Sequence, residues 1–283
     1  MRKKAKLRLF FLYGLIGVAL LAFFALDPRL VVNKYTIRSE NLPSAFDGFT
    51  IVQITDLHCA RFGEKQKDLL ARIDRIAPDI VVLTGDIIDE KLLDFAPVEE
   101  LVTGLAAKYP VYSIWGNHDR WLSRRDFKKL QEIYKSAGVT ILNDESIELS
   151  HNNAAIFLHG ADDPPVWNRG DLAYVQEHGI AVSPTEDRFN LLLMHRANLF
   201  PALSDLGFDL VLSGHLHGGQ IRIPYVAGLI SPTREWFPKY SAGRFEENGT
   251  VMIVGRGLGN AISIPRIFNP PELVHIVLKT SEK

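Results

Sequence analysis

Cysteine is all but missing from this chain: Cys59 stands alone among 283 residues. One thiol cannot close an internal disulfide or build a thiolate metal cluster, so any metal rests on oxygen and nitrogen ligands. A charge excess is missing too. Lys and Arg number 32 against 33 Asp and Glu, a net charge of −1, so no global basic field recruits nucleic acid. Internal repeats, low-complexity stretches and interdomain linkers are also lacking, which points to one catalytic domain. What the chain does have is apolar material, 47% of its residues, ample for an α/β core.

One apolar run stands apart. Residues 9–26, LFFLYGLIGVALLAFFAL, carry no charge. As a helix at about 1.5 Å per residue they reach roughly 27 Å, near the hydrocarbon thickness of a bilayer. Arg2, Lys3, Lys4, Lys6 and Arg8 precede the run, and Asp27-Pro28 ends it. The expectation is a basic cytoplasmic tail at 1–8, a single transmembrane anchor at 9–26 and a catalytic domain at 31–283 on the extracytoplasmic side. A cleaved signal peptide is the competing reading. The run is longer than a usual signal core and has no small-x-small site: Phe23 stands two residues before Ala25, and Leu20 two before Ala22.

Beyond this segment strands and helices alternate. Val31 to Ile37 reads as an edge strand, FTIVQIT (49–55) and DIVVLT (79–84) as buried strands, and VYSIW (111–115) as a third. Helices are expected over 64–77, stopped by Pro78, over 97–108, and after Ser123, whose spacing to Asp126 caps a helix that ends at Gly138. The second half leans to β structure: 139–142, 146–149, 154–159, 189–195, 208–215, 220–224, 250–255 and 273–279, interrupted by helices near 168–178 and 198–205. Alternating β and α units followed by hairpin-like strands suggest two sheets packed face to face with helices outside.

Five polar clusters follow strands directly: Asp56-Leu57-His58, Gly85-Asp86-Ile87-Ile88-Asp89, Gly116-Asn117-His118-Asp119, Met194-His195 and Gly214-His215-Leu216-His217. Strand C-terminal ends are where open α/β sheets build their sites. Residues two apart in extended backbone project to the same side, so Asp56 with His58, and His215 with His217, each aim two ligands at one point. Glycines 85, 116 and 214 permit close approach of backbone to ligand. Imidazole with carboxylate suits Mn, Fe, Zn or Ni better than Ca or Mg. Asp56, His58, Asp86, Asn117, His195, His215 and His217 are too many ligands for one ion and the right number for two sharing a carboxylate. Such a pair, about 3.5–4 Å apart, activates hydroxide for in-line phosphoryl displacement.

Together these clusters resemble the calcineurin-like metallophosphoesterase superfamily over residues 50–280. The resemblance implies an α/β (α+β) fold, a four-layer α-β-β-α sandwich of two mixed sheets. It implies two divalent ions, Mn first, with Asp56, His58 and His217 on one, Asn117, His195 and His215 on the other, and Asp86 bridging. His118 is implied as the acid that protonates the leaving oxygen, with Asp89 hydrogen-bonded to it. GHLHGGQIRIPYVAGLISP, FPKYSAG and GRGLGNA are similar to the membrane-associated bacterial branch, whose members hydrolyse phosphodiesters or cleave the pyrophosphate of a UDP-linked diacylglucosamine. The chain is then expected at the bacterial cytoplasmic membrane. Ala60 departs from the glycine frequent after the Asp-x-His unit, and Glu90 stands where protein phosphatases carry Arg.

Weaker candidates for substrate contact are Gly219, Gln220, Lys239, Tyr240 and Arg256, which offer donors suited to phosphate, against a reading as turn and surface salt bridges. Cys59 reads as packing beside the site and His159 as structural. The leading expectation is a binuclear hydrolase of a phosphodiester or pyrophosphate on a lipid-linked substrate. A phosphomonoesterase or nucleotidase for soluble substrates, and a non-catalytic metal-binding scaffold, are the alternatives.

Overall fold

A computed structural model describes residues 2–165 and 170–281, with side chains from residue 10 onward. In chain order the elements are α1 (Arg2–Ala25), β1 (Val31–Ser39), β2 (Thr50–Ile54), α2 (Lys67–Ile76), β3 (Ile80–Thr84), α3 (Ala96–Ala106), β4 (Val111–Ile114), α4 (Asn117–Arg120), α5 (Arg124–Ala137), β5 (Thr140–Ile141), β6 (Glu145–His151), β7 (Ala154–Gly160), α6 (Asp171–His178), β8 (Asn190–Arg196), α7 (Phe200–Leu203), β9 (Leu210–Gly214), β10 (Ile221–Ile223), β11 (Ala227–Ile230), β12 (Gly243–Glu247), β13 (Thr250–Val254) and β14 (Glu272–Thr280).

Two six-stranded sheets are ordered β1-β14-β2-β3-β4-β5 and β12-β13-β9-β8-β7-β6, and β10-β11 form a separate hairpin. Both sheets are mixed. β2 through β5 run parallel beside antiparallel β14, and β13, β9, β8 and β7 run parallel between antiparallel β12 and β6.

Strand alternation explains the layers. Ile51, Val82, Leu191, Leu193, Leu210 and Leu212 point into one core between the sheets. Their neighbours Val52, Val81 and Leu83 turn outward, under α2, α3 and α5. Leu192, Met194 and Val211 turn the other way, under α6 and α7. A strand buried on both faces is apolar at nearly every position, which is why β3 and β9 open on the apolar runs Ile80–Leu83 and Leu210–Leu212. Local signals work as expected on α5: Ser123 Oγ accepts from the Asp126 N–H at 3.2 Å, and Gly138 ends the helix at φ 86°.

The N-terminal expectation is not supported. Among the described residues no helix is long and apolar enough to cross a membrane. α1 is helical over Arg2–Ala25. The side chains of the basic segment 1–8 lie outside the described residues, as does the start of the helix expected near 168. β11 and β12 were not anticipated, and the helix expected over 198–205 is a single short turn, α7.

Candidate metal centre

The parallel strands β2, β3, β8 and β9 and the neighbouring β4 deliver the polar clusters to one rim. The chain turns sharply there. Asp56, His58, Asp86, His215 and His217 hold φ between 45° and 76°, the left-handed region that side chains normally avoid. Backbone pairing compels these turns: Asp56 N–H donates to Gly85 O at 3.0 Å and His58 N–H to Asp86 O at 3.1 Å. Close approach demands glycine at two positions. A Cβ on Gly116 would collide with the Asp86 carboxylate, and one on Gly214 with Thr55 and Asp56.

The ligand candidates converge. His217 Nε2 lies 3.3 Å from Asp56 Oδ1 and 3.1 Å from His58 Nε2. His195 Nε2 lies 3.1 Å from Asp86 Oδ2 and 3.2 Å from Asn117 Oδ1. His58 Nε2 is 3.7 Å from the same Asp86 oxygen. Two groups, Asp56-His58-His217 and Asp86-His195-His215, each hold their ligand atoms within 4.8 Å of one another. All seven side chains are buried.

Tautomers are set from behind. The Nδ1–H of His195 donates to Thr84 O at 2.8 Å, which leaves Nε2 facing inward. The Nδ1–H of His58 donates to Asp89 Oδ2 at 3.2 Å, a carboxylate–histidine arrangement that orients a ligand and raises its basicity. This corrects one expectation. Asp89 serves His58 and lies 3.8 Å from His118, while Glu90 Oε2 takes the Nδ1–H of His118 at 2.5 Å. The reason is local: Asp89 Oδ1 caps the N–H groups of Lys91 and Leu92 at 2.8 and 3.1 Å, which turns its other oxygen to His58. Glu90, one methylene longer, reaches His118 instead.

Burial and charge divide the histidines. Burial pushes His215 and His217 down, His217 to about 4 despite the opposing Asp56 carboxylate, so both stand neutral and ready to ligate. Burial also opposes charge on His195, but the Asp86 carboxylate outweighs it and raises His195 to about 10. For His118 burial is again outweighed, by Asp86 first and then by Glu90 and Asp89, and its pKa is raised.

Asp119 was seen in the sequence only as the last letter of a cluster. Its carboxylate accepts the N–H groups of Asp86 at 2.7 Å, Gly116 at 2.8 Å and Ile88 at 3.2 Å, so it holds the turn that carries Asp86. Arg266, also unforeseen, packs its Nη2 3.2 Å from His217 Nδ1 and donates to the carbonyls of Gly259 and Arg256. The residue spacing from Gly116 to Asp119 is that of a helix cap and was a usable signal; Arg266 had none.

The weaker candidates separate. Gly219 is buried against Gly228 of the hairpin. Gln220 is buried, its Nε2 donating to Asn260 Oδ1 at 3.0 Å. Arg256 faces Glu272, Nε to Oε2 3.4 Å. These three do not line the metal-centre cavity. Lys239, paired with Glu247 at 2.7 Å, and Tyr240 line an adjoining cavity that also touches His215. The Cys59 thiol accepts from Asp89 N–H at 3.3 Å, and burial raises its pKa, which suits packing. His159 is held by Ser146 and Asn190.

Comparison with known proteins follows the geometry. The family model for calcineurin-like phosphoesterases matches residues 49–219. An uncharacterized metallophosphoesterase of Bacillus subtilis (strain 168), YkuE, is 30% identical over 90% of this chain and 88% of its own. The Escherichia coli (strain K12) phosphodiesterase YaeI is 28% identical, over 81% and 82%. The Chlamydia trachomatis UDP-2,3-diacylglucosamine pyrophosphatase LpxG is 26% identical, over 88% and 89%.

Proposed function

The chain belongs to the calcineurin-like phosphoesterase family, and from that premise we propose that it hydrolyses phosphodiester or pyrophosphate bonds at a centre of two divalent ions. As a family member it is a phosphoric ester hydrolase that works with divalent metal. The observation that carries the two-ion reading is the pair of ligand groups meeting at Asp86, whose Oδ2 lies 3.1 Å from His195 and 3.7 Å from His58. The donor set of imidazoles, carboxylates and one amide oxygen fits Mn, with Fe, Zn and Ni as further candidates.

Asp56, His58 and His217 would hold one ion and Asn117, His195 and His215 the other, with Asp86 shared between them. Bound there, the cations supply a water of lowered pKa and offset charge on the phosphate. His118, kept protonated by Asp86 and Glu90, gives its proton to the leaving oxygen. Glu90 orients that ring, and Asp89 orients His58.

A lipid-linked substrate at a membrane is the finer part of the proposal. It is supported by exposed apolar side chains in two places: Phe10, Phe11, Leu15, Leu21, Phe23 and Phe24 on α1, and Tyr225, Val226, Trp236 and Phe237 around the hairpin. The Phe268 N–H bonds Ala25 O at 2.6 Å, which ties the end of α1 to the segment after Arg266. A cavity of about 540 Å³, lined by Leu92, Ile230, Pro232, Ala261, Ile262 and Ile264, also reaches Asp89 and Lys91, and it suits an apolar leaving group near His118. Patches of this kind mark interaction surfaces. The catalytic domain lies outside the cytoplasm in this proposal.

The experiment is hydrolysis of bis-p-nitrophenyl phosphate and p-nitrophenyl phosphate by the purified protein with Mn²⁺ and after chelation. Metal-dependent cleavage of the diester supports the reading; cleavage of the monoester alone moves the protein to the phosphomonoesterases. Flotation of the full chain with phospholipid vesicles tests the membrane part, and protease added outside spheroplasts tests its side.

A further inference from the structure

Two of the histidine ligands are held from behind by an oxygen acceptor, His58 by Asp89 and His195 by the Thr84 carbonyl. His217 is held by a cation instead. Arg266 Nη2 approaches its Nδ1 at 3.2 Å, and since a guanidinium has only donors to offer, the ring nitrogen accepts. Among the described residues the other hydrogen bonds of Arg266 go to main-chain oxygens. Nε donates to Gly259 O at 2.9 Å and Nη1 to Arg256 O at 2.8 Å. Arg266 is thus wedged between His217 and residues 256–259, part of the GRGLGN run.

That run lies directly on the turn carrying the other two ligands of the same group. Leu258 N–H donates to Asp56 O at 3.1 Å, and Gly259 N–H to the same oxygen at 2.7 Å. A Cβ on Gly259 would fall 2.0 Å from Leu57 O, so the two backbones are in contact. Asn269, three residues after Arg266, grips the far side of His217: its Nδ2 donates to His217 O at 2.7 Å and to Gln220 O at 3.1 Å. One guanidinium therefore ties the main chain behind Asp56 and His58 to the ring of His217.

The second ligand group has no share in this clamp. His195 is fixed through Thr84 and the turn of Asp86 through Asp119. Arg266 is not part of the metal-centre cavity wall either, so it supports ligands rather than touching substrate.

We propose that Arg266 is a positioning residue for one of the two ions, clamping residues 256–259 against His217 so that Asp56, His58 and His217 keep the spacing one cation needs. The proposal rests on the two-ion reading above and adds which residue outside the ligand set decides the affinity of one ion and not of the other. Two effects of Arg266 oppose each other. Its positive charge repels a cation, so removing the charge alone would tighten binding, whereas removing the clamp loosens it. The clamp dominates, because a planar fork fixes distances that a point charge does not, and such outer supports carry about 10–100-fold in metal affinity.

The test is calorimetric titration of the metal-free full chain with Mn²⁺, and electron paramagnetic resonance of the loaded protein, for the native chain, Arg266→Gln and Arg266→Lys. The native protein is expected to take up two ions and to show the spectrum of an exchange-coupled pair. Both variants are expected to bind one ion as the native chain does and the other about tenfold or more weakly. Their spectrum then becomes that of an isolated ion and matches His217→Ala, not His215→Ala. Lys keeps the charge but cannot span both carbonyls and the ring, so it fails alongside Gln, and it remains informative if Arg266→Gln does not fold. Native affinity for both ions in the variants, tighter binding, recovery in Arg266→Lys alone, or equal weakening of both ions overturns the proposal.

Should the native chain take up fewer than two ions, the two-ion reading has failed, and hydrogen exchange in the metal-free protein still decides the clamp. Exchange of the Leu258 and Gly259 N–H groups about tenfold or more faster in Arg266→Gln, with Asp86 N–H as protected as before, upholds it. Unchanged exchange at Leu258 and Gly259, or faster exchange at Asp86 as well, rejects it.

Discussion

Glu90 holds His118: its Oε2 lies 2.5 Å from the ring's Nδ1, and the His118 ring packs on Trp121 with centroids 4.8 Å apart. That carboxylate sets the tautomer of the proposed acid, so that Nε2 is left to serve substrate, and adds to the Asp86 charge that raises its pKa.

Replacing that carboxylate separates proton delivery from metal binding. His118 has a raised pKa, so the acid form persists to higher pH than for a free imidazole and is lost as pH rises through the raised value. Glu90→Gln removes part of that elevation. The alkaline limb of the kcat profile is expected to move to lower pH, with kcat reduced by about 10-fold or more, within the range of general-acid effects. Metal content by mass spectrometry should stay at the native level; a variant that lost metal would make Glu90 part of the ion-holding shell.

His195 has the opposite task. With its pKa raised to about 10 by the Asp86 carboxylate against burial, it carries a proton at pH 7, and a cation must displace that proton to be bound. Metal uptake at pH 7 is expected to release close to one proton from this ring, seen as a buffer-dependent heat in calorimetry, and affinity should climb between pH 7 and 10. A pH-independent affinity over that span would contradict the assignment.

Asp119 is a test of pure support. Its three accepted N–H bonds, from Asp86, Gly116 and Ile88, are buried. Asp119→Ala leaves those donors unmet at about 1–3 kcal/mol each, so urea unfolding should report a loss of several kcal/mol, on the order of 3 or more. Asp119→Asn, which keeps an accepting oxygen, should recover part of it.

The Arg196 guanidinium is buried and clamps Asp163, Nε to Oδ1 2.7 Å, and Asp171, Nη1 to Oδ2 3.2 Å. Arg196→Met strands two buried carboxylates, a loss of about 3–5 kcal/mol for a broken buried pair. Burial already raises the Asp163 pKa even with Arg196 present. In the variant Asp163 loses the guanidinium that opposes this rise, so the penalty is present at neutral pH and shrinks as pH falls toward the range where Asp163 protonates. Denaturation at pH 7 and pH 5 should show a smaller deficit at pH 5.

How far the sequence reached depended on the range of the interaction. Asp56 with His58, and His215 with His217, were legible as ligand pairs because extended backbone alone decides where neighbours two apart point. The end of β3 at Thr84 fell where its apolar run stops at glycine and aspartate, the ends of β2 and β9 fell one residue short of those expected at 55 and 215, and the Ser123 cap and Gly138 stop on α5 followed from local backbone chemistry. The short strand β11 and the turn presenting Arg234 escaped, since their only signals are mixed Pro, Gly and polar residues that suit many loops.

The sequence by itself determined the donors and their order along the chain: seven side chains of the right chemistry, each behind a strand, with glycine where a Cβ would collide. Tertiary structure alone decided which carboxylate serves which ring. Asp89 and Glu90 are adjacent in sequence and alike in chemistry, yet one faces His58 and the other His118. That choice turns on side-chain reach and on the capped backbone of Lys91 and Leu92, in a space whose walls come from residues more than a hundred positions away. Distances between such remote groups are set by how the two sheets pack, and no local pattern encodes them.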